Sequence, residues 1–154
     1  MDRTILSAHH RVNRAIIACR GIYAAWAGAH GIGYHRMLVL YTIRELGYCT
    51  QKGMCDSYLL PRQTMHNVIC AMREEGLLEQ SAEHSRGREK AFVLTAAGKD
   101  YAAVFLADIG KMEERAAENF GEENFDKLID LMTRYDEALF SALETEKHGK
   151  NDEK

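Results

Sequence analysis

The chain has 154 residues, of which 46% are hydrophobic and 28% are charged, a composition that is typical of one folded globular domain and excludes general disorder. The net charge of −3 does not by itself suggest nucleic-acid binding, but residues 1–49 carry six Arg against two acidic residues (net +4), residues 50–94 are neutral, and residues 95–154 carry −7. No apolar run approaches the roughly 18 residues that span a membrane, and the first residues do not resemble a secretory signal, so we expect a cytoplasmic protein with no membrane partner and with reduced cysteines.

The first predicted element is a long helix over residues 4–27. Its apolar residues and one histidine recur at steps of three and four and form a heptad-like stripe, which needs a partner helix from this chain or from another; they are Ile5, His9, Val12, Ile16, Cys19, Tyr23 and Trp26. Glycines at 28, 31 and 33 break this helix. A second helix is predicted over residues 34–46, with Gly47 at its C-terminal end.

The middle of the chain predicts a helix-turn-helix. Thr50 is expected to cap a short third helix that runs through Tyr58. Pro61 fits the first position of a fourth helix, where its missing N–H costs nothing, and this helix runs to about Glu75 before Gly76 ends it.

A β-hairpin and two further helices complete the prediction. Residues 77–81 and 91–94 read as short strands around a polar, turn-prone loop over residues 83–90. A long helix starts at Thr95 and breaks at Gly121, and the last helix covers residues 122–146.

The predicted fold is therefore mainly α with a small β-hairpin, a winged helix-turn-helix with long terminal dimerisation helices. We expect an N-terminal dimerisation helix in residues 1–33, a DNA-binding domain in 34–95, C-terminal dimerisation helices in 96–146 and a frayed tail in 147–154.

Four short motifs within this order resemble the MarR (multiple antibiotic resistance regulator) family of bacterial transcription factors. They are Thr50-Gln51 at the start of the third helix, residues 62–67 at the start of the fourth, the Gly76-Leu77 junction, and Leu94-Thr95 followed three residues later by Gly98. The resemblance implies a homodimer that binds double-stranded DNA through a recognition helix and a wing, with Thr50 and Gln51 supporting the helix-turn-helix.

Two residues depart from the family's pattern. Arg86 stands where the wing usually has an Asp that helps to orient the wing arginine, which is Arg88 here. Leu59 stands where a glycine is common before the recognition helix. Since a leucine disfavours positive φ, we expect a variant turn at this position.

The candidate DNA-binding residues lie in two segments. The first two turns of the recognition helix carry side chains that can bond to base edges or phosphates in the major groove, namely Arg62, Gln63, Thr64, His66 and Asn67. In the wing, Arg86, Arg88 and Lys90 alternate, which would place them on one side of an extended strand, where a long Arg can enter a narrow minor groove. Each set could instead be a solvated polar surface.

Two further sets of residues are candidates for dimerisation and for effector binding. The apolar stripes of the terminal helices suggest a homodimer through Ile5, Val12, Ile16, Leu139 and Leu143, although they could close the core of a monomer. The resemblance also implies a small aromatic or phenolic effector, for which the candidates are Trp26, His30, Tyr34, Arg36 and Tyr41; ordinary packing is the alternative.

The cysteines and histidines carry no motif spacing. None of Cys19, Cys49, Cys55 and Cys70 forms a Cys-x-x-Cys pair, so we expect no metal site, and whether one of the four senses oxidants stays open. No cofactor is expected, and the absence of a nucleophile or phosphate-loop motif argues against an enzyme.

The sequence therefore predicts a sequence-specific transcriptional regulator that binds a pseudo-palindromic operator as a homodimer and acts as a repressor relieved by a small-molecule effector. The alternatives are a winged-helix protein-interaction module without DNA binding, and a thiol-based redox-sensing regulator.

Overall fold

The structure is a computed structural model that describes the backbone of residues 3–151 and the side chains of residues 4–147. Its elements are, in chain order, α1 (Arg3–Ala29), α2 (Tyr34–Leu46), β1 (Cys49–Thr50), α3 (Gln51–Tyr58), α4 (Arg62–Glu74), β2 (Leu78–Arg86), β3 (Glu89–Leu94), α5 (Ala96–Phe120) and α6 (Glu123–Asn151). The mainly helical fold with a small hairpin is confirmed, and α4 is the second helix of the helix-turn-helix.

The last helix is longer than the sequence predicts. The backbone is helical up to Asn151, past the predicted end at residue 146. The predicted fraying of residues 147–154 stays a prediction, and residues 152–154 lie outside the described residues. The described helices include none that is long and apolar enough to cross a bilayer.

The chain divides into two compact units, one up to Asp108 and the other from Ile109. The first unit holds the helix-turn-helix, the sheet and the start of α5, and the second holds the rest of α5 and α6. The predicted domain boundaries at residues 33 and 95 stay predictions.

The sheet has three antiparallel strands in the order β1-β3-β2. The two residues of β1, Cys49 and Thr50, pair with Phe92 and Ala91, a short strand that the sequence analysis missed. Along the hairpin, Leu78 pairs with Leu94, and the register shifts between Ser81 and Arg86.

The hairpin strands reach further than predicted, and the predicted loop over residues 83–90 shrinks to Gly87 and Arg88. The polar side chains that suggested a loop instead support the irregular register. The Ser85 hydroxyl donates to the Ser81 carbonyl oxygen at 2.5 Å and accepts from the Ala91 N–H at 3.0 Å. Serine thus bridges the two strands where the regular ladder is interrupted.

The core of the first unit lies between α2, α3, α4 and the sheet. Its largest fully buried side chains include branched residues of α2, one methionine of α3 and two methionines of α4; they are Val39, Leu40, Met54, Met65 and Met72. One side of α4 packs on this core, and the opposite side of the helix faces outward.

The junction between α4 and β2 is tied to the start of α5. The Thr95 hydroxyl donates to the Gly76 carbonyl oxygen at 2.6 Å and accepts from the Gly98 N–H at 3.0 Å, which caps α5. The Thr95 N–H also donates to the Leu77 carbonyl oxygen at 3.1 Å. A Cβ on Gly98 would overlap that carbonyl oxygen. The Leu-Thr-x-x-Gly motif therefore encodes a close backbone contact that only glycine permits.

The turn before α4 keeps a left-handed residue although that residue is not glycine. Leu59 has φ 51° and is 84% exposed, so the expected avoidance of positive φ is wrong at this position. Leu59 ends α3, with its N–H bonded to the Cys55 carbonyl oxygen. Pro61 is the N-cap of α4 rather than its first helical residue, a shift of one position.

The second unit contains the end of α5 and the start of α6 around Gly121, whose φ is 86°. Phe120 packs edge-on against Phe125 at a ring distance of 5.2 Å, and the Asn124 amide donates to the Phe120 carbonyl oxygen. Much of the apolar surface of α6 is exposed, including Leu131, Leu139, Phe140 and Leu143.

Candidate nucleic-acid interface

The outward surface of α4 carries two rows of side chains. One row lines a cavity beside the wing and follows helical spacing from the first residue to the last turn; it consists of Arg62, His66, Cys70 and Arg73. The buried Ile69 also lines this cavity. Gln63 and Asn67 form the second row, one residue further round the helix, and both are exposed. Thr64 is half-buried and so presents less of its side chain to an incoming partner.

The cavity beside the wing has a volume of about 460 Å³ and is open on the outside. Five of its lining residues are cationic, drawn from α3, α4 and the hairpin, namely Lys52, Arg62, Arg73, Arg88 and Lys90, and one is acidic, Glu89. We call this surface the basic groove. Cations concentrated on one concave surface attract an anion more strongly than the same charges spread over the protein.

The single acid in the basic groove is engaged in holding the wing. The Thr50 hydroxyl donates to the Glu89 carboxylate at 2.5 Å and accepts from the Gly53 N–H at 2.9 Å. Thr50 is therefore both the N-cap of α3, as predicted, and a contact that ties α3 to the hairpin close to its turn. The lining of the groove keeps five cationic side chains against this one acidic side chain.

Gln51 joins the two helices of the helix-turn-helix. Its side-chain amide donates to the carbonyl oxygen of Arg62 at 3.1 Å. This bond joins the start of α3 to the start of α4 and fixes the position of the first turn of α4.

The two wing arginines differ in their surroundings. Gly87, with φ 54°, turns the chain between them, so the alternation rule that placed Arg86, Arg88 and Lys90 on one side of a strand does not apply. The Arg86 guanidinium donates to the carbonyl oxygens of Glu83 at 2.6 Å and Ser85 at 3.0 Å. Arg88 lines the basic groove and has no hydrogen-bond or ion-pair partner within the described part of the chain.

A second cavity, of about 370 Å³, lies among α1, α2 and the end of α3. Tyrosines and apolar side chains dominate its lining, with one arginine, and the set is Cys19, Arg20, Tyr23, Tyr34, Met37, Leu38, Tyr41, Ser57, Tyr58 and Leu59. We call this the tyrosine cavity. Of the five predicted effector residues, Tyr34 and Tyr41 line it.

The other three predicted effector residues make contacts elsewhere. Trp26 stacks on His30 at a ring distance of 4.0 Å, and the His30 ring nitrogen lies 2.8 Å from the Trp26 carbonyl oxygen. Arg36 forms a bidentate ion pair with Glu75, with nitrogen–oxygen distances of 2.6 and 2.7 Å. Arg20 and Tyr58 line the tyrosine cavity but were not among the predicted residues, although Tyr23 and Cys19 lie on the same predicted helix stripe as Trp26.

Glu75, Arg36 and Cys49 have displaced pKa values for clear physical reasons. The hydrogen bond from Arg36 lowers the pKa of Glu75 below its ordinary value, and the same bond raises the pKa of Arg36. Burial raises the pKa of the Cys49 thiol to about 12, because a thiolate is costly in an apolar environment.

The four cysteines are free thiols in different environments. Cys49 is buried and Cys19 is exposed, while Cys55 and Cys70 are half-buried along the basic groove. The Cys70 sulfur lies 3.5 Å from the His66 Nε2. Among the described residues no three metal-binding side chains come together.

The predicted dimerisation residues are placed on open helix surfaces. Ile5 is 53% exposed, and Leu139 and Leu143 are 45% and 49% exposed. Ile16 is also exposed, and Val12 is half-buried. One copy of the chain thus leaves these apolar side chains largely in contact with solvent.

Comparison with known proteins finds relatives through structure alone. No protein-family model matches the chain, and no curated protein matches it. Solved structures do match over nearly the whole chain. A MarR family regulator from Neisseria meningitidis superposes with a TM-score of 0.76 at 24% identity, covering 93% of this chain and 97% of that one.

Two further matches are solved as complexes. NadR in complex with 4-hydroxyphenylacetate has a TM-score of 0.69 at 16% identity and covers 80% of this chain and 91% of its own. The MepR–DNA complex from S. aureus has a TM-score of 0.61 at 14% identity, with 84% and 96% covered. The chain therefore has the winged-helix fold of the MarR family of transcriptional regulators.

Proposed function

We propose that the protein is a sequence-specific DNA-binding transcriptional regulator of the MarR family. It binds a pseudo-palindromic operator as a homodimer, and it is a repressor that a small aromatic or phenolic effector releases. In this proposal α4 enters the major groove and Arg88 reaches the flanking minor groove.

The observation that carries the proposal is the basic groove. Its five cations come from three separate elements and converge beside the exposed start of α4, while its one acid is bonded to Thr50. Phosphates supply most of the electrostatic attraction between proteins and DNA, and a helix-turn-helix presents the start of its second helix to base edges. The net charge of −3 conceals this local excess of positive charge.

The solved neighbours support the same assignment by analogy. The MepR structure contains DNA, and a fold similar to it carries here a basic groove and exposed polar side chains on α4. Fold alone does not fix function, so the local charge and the polar surface of α4 carry the argument.

The tyrosine cavity is the proposed effector site. Its volume lies in the range of small-molecule pockets, its tyrosines can stack on an aromatic ring, and Arg20 can pair with an acidic group on it. NadR binds 4-hydroxyphenylacetate, a phenolic acid of the kind that such a lining suits. Ser57, Tyr58 and Leu59 line the cavity just before α4, so an occupant contacts the turn that positions the recognition helix.

The proposal is tested by measuring DNA affinity as a function of salt. The purified protein is titrated with duplex DNA from upstream of its own coding sequence at several salt concentrations. Arg88→Ala should lower the affinity, more strongly at low salt, and should flatten the slope of log affinity against log salt by about two units per dimer, one per wing.

A matched control is Arg115→Ala, which removes an exposed arginine of α5 that does not line the basic groove, and which should leave both quantities unchanged. Arg86→Ala should have a smaller effect than Arg88→Ala, because the Arg86 guanidinium is bonded to the wing backbone. A wild-type protein that binds no DNA, or an Arg88→Ala variant with unchanged affinity and slope, would favour the protein-interaction module.

A further inference from the structure

We infer that Gln63 and Asn67 act together as one reading unit, and that the base they read is an adenine in the major groove. This inference rests on the proposed function, since it requires that α4 binds DNA. It assigns to each half of the operator one A·T pair that both side chains recognise.

The side chains of Gln63 and Asn67 are hydrogen-bonded to each other. The Gln63 amide nitrogen lies 2.8 Å from the Asn67 amide oxygen and donates to it. The residues are four apart, so that they lie above one another on successive turns of the helix, and both are exposed. They have already lost part of their rotational freedom before any partner arrives, which lowers the entropy cost of binding.

The bond leaves one amide oxygen and one NH2 group wholly free. Each side-chain amide has a carbonyl oxygen with two acceptor lone pairs and an NH2 group with two donor hydrogens. The bond uses one N–H of one amide and one lone pair of the other, so the oxygen of the first amide keeps its full acceptor capacity and the NH2 group of the second keeps both donors. Exchanging the oxygen and nitrogen of both amides changes which residue supplies each group but leaves the same two groups, one of each kind.

These two free groups complement the major-groove edge of adenine but not that of guanine. In the major groove adenine presents an N6 amino donor beside the N7 acceptor, whereas guanine presents two acceptors, O6 and N7. One free acceptor and one free donor complement adenine on both atoms. Against guanine, the free carbonyl oxygen would face O6 and both acceptors would lose water without gaining a hydrogen bond, which is costly.

Neighbouring side chains do not compete for the same position. Arg62 and His66 belong to the row that lines the basic groove, and His66 also contacts Cys70. The first turn of α4 is fixed by the bond from Gln51 to the Arg62 carbonyl oxygen. Gln63 and Asn67 are therefore a separate pair on a helix start of fixed position.

The experiment starts from a pool of randomised duplex DNA, from which wild-type protein selects its preferred sequence. If no sequence is enriched, the proposed function fails. If one is enriched, each base pair of it is changed in turn and affinity is measured for Gln63→Ala, Asn67→Ala and the double variant. The inference predicts that both single variants lose the preference at the same A·T pair, by about tenfold, and that the double variant loses no more than either single one.

Independent reading would give a different pattern, in which the two single variants relax different base pairs or their losses add at one pair, and either result overturns the inference. The matched control is Gln80→Ala, an exposed amide on β2, which should retain every preference.

Base analogues test the same inference on the wild-type protein, without relying on the folding of variants. At the identified A·T pair, purine lacks the N6 amino group of adenine and 7-deazaadenine lacks N7. Each analogue should weaken wild-type binding about tenfold and should leave the binding of the double variant unchanged. Wild-type binding that is insensitive to both analogues at every adenine of the operator would overturn the inference.

Discussion

Gly98 lies where the start of α5 meets the backbone at the beginning of β2. A methyl group there would overlap the carbonyl oxygen of Leu77 and would also press on the Leu94 side chain, 3.2 Å away. The Leu77 carbonyl is held in place, since it accepts a bond from the Thr95 N–H. We therefore expect Gly98→Ala to destabilise the protein by about 1–3 kcal/mol, as measured by denaturant unfolding.

Gly110 provides the control in the same helix. A Cβ at Gly110 meets nothing within 4 Å, and alanine favours helix over glycine by roughly 0.5–1 kcal/mol. Gly110→Ala should therefore be neutral or stabilising. If the two substitutions have equal effects, the close contact at Gly98 does not limit stability.

Leu59 offers a second test at the residue scale, because its positive φ is strained for a residue with a Cβ. Leu59→Gly should be more stable than Leu59→Ala by about 1 kcal/mol. Both variants lose the same exposed side chain, and only glycine also relieves the strain. Thermal or denaturant unfolding measures the difference. A more stable Leu59→Ala variant would mean that unfolded-state entropy outweighs the strain.

Among the elements, α2 and the end of α4 are joined by the ion pair between Arg36 and Glu75. Arg36 also lies over the ring of Tyr101 in α5, at 6.0 Å from its centre. An arginine that the sequence suggested for effector binding is thus placed between three helices. Its bond to Glu75 holds the C-terminal end of the proposed recognition helix.

The lowered pKa of Glu75 sets the pH range in which this pair stabilises the fold. The unfolded carboxyl group takes up its proton first as the pH falls, so the stabilising contribution is present above the ordinary carboxyl pKa of about 4.3 and is lost as the pH falls through the lower folded value. Because the Glu75 side chain is 46% exposed, solvent screening limits the contribution to no more than about 1 kcal/mol.

Unfolding at pH 7 and at pH 3 tests this contribution. Glu75→Gln should be less stable than wild type at pH 7, and the difference should shrink at pH 3, which lies below the ordinary carboxyl pKa, because the stabilising contribution of the charged pair falls there. The control is Asp130→Asn, which removes an exposed partner of Arg134 at 3.5 Å and should change stability little at either pH. A stability difference for Glu75→Gln that persists unchanged at pH 3 would exclude the charge as its cause.

The sequence predicted the helices well where side-chain chemistry ends them locally. Thr50 caps α3 and Gly47 ends α2 in a left-handed conformation, as expected. The two-residue strand β1 could not be predicted, because its only signal is pairing with Phe92 and Ala91, some forty residues later. The length of the hairpin was missed for a related reason, since it depends on the bond from the Ala91 N–H of β3 to the Ser85 hydroxyl of β2.

Part of the candidate site could also be predicted from local sequence patterns. The polar start of α4 is visible in sequence, and so is Arg88, because both follow local patterns. The joining of Arg62 and Arg88 in one groove depends on how the wing folds beside α4. Arg36 and Glu75 are 39 positions apart in the sequence. Their ion pair could not be predicted, because no local pattern around Arg36 indicates a partner so far along the chain.

At the scale of the whole molecule, the exposed apolar side chains of the terminal helices are the basis for predicting a homodimer. Exposed apolar residues in such numbers are typical of an interface. Sedimentation at micromolar concentration should give a mass near twice 17.5 kDa. Leu139→Asp together with Leu143→Asp should dissociate or unfold the protein, because buried carboxylates without partners are costly.

Thr133→Asp is the control for the added charge. Thr133 is an exposed position of α6 outside the predicted apolar stripe, so this variant should sediment as wild type does. A wild-type mass of 17.5 kDa, or a Leu139→Asp, Leu143→Asp variant that stays folded and dimeric, would contradict the predicted interface.

The tyrosine cavity has a thermodynamic consequence, because its lining includes the residues that lead directly into α4. If a bound molecule weakens operator binding by some factor, operator DNA must weaken the binding of that molecule by the same factor. Operator DNA then lowers the affinity of the protein for its effector. A copy of the protein on its operator would respond only at a higher effector concentration than a copy free in solution, and effector titrations with and without operator would measure the two thresholds.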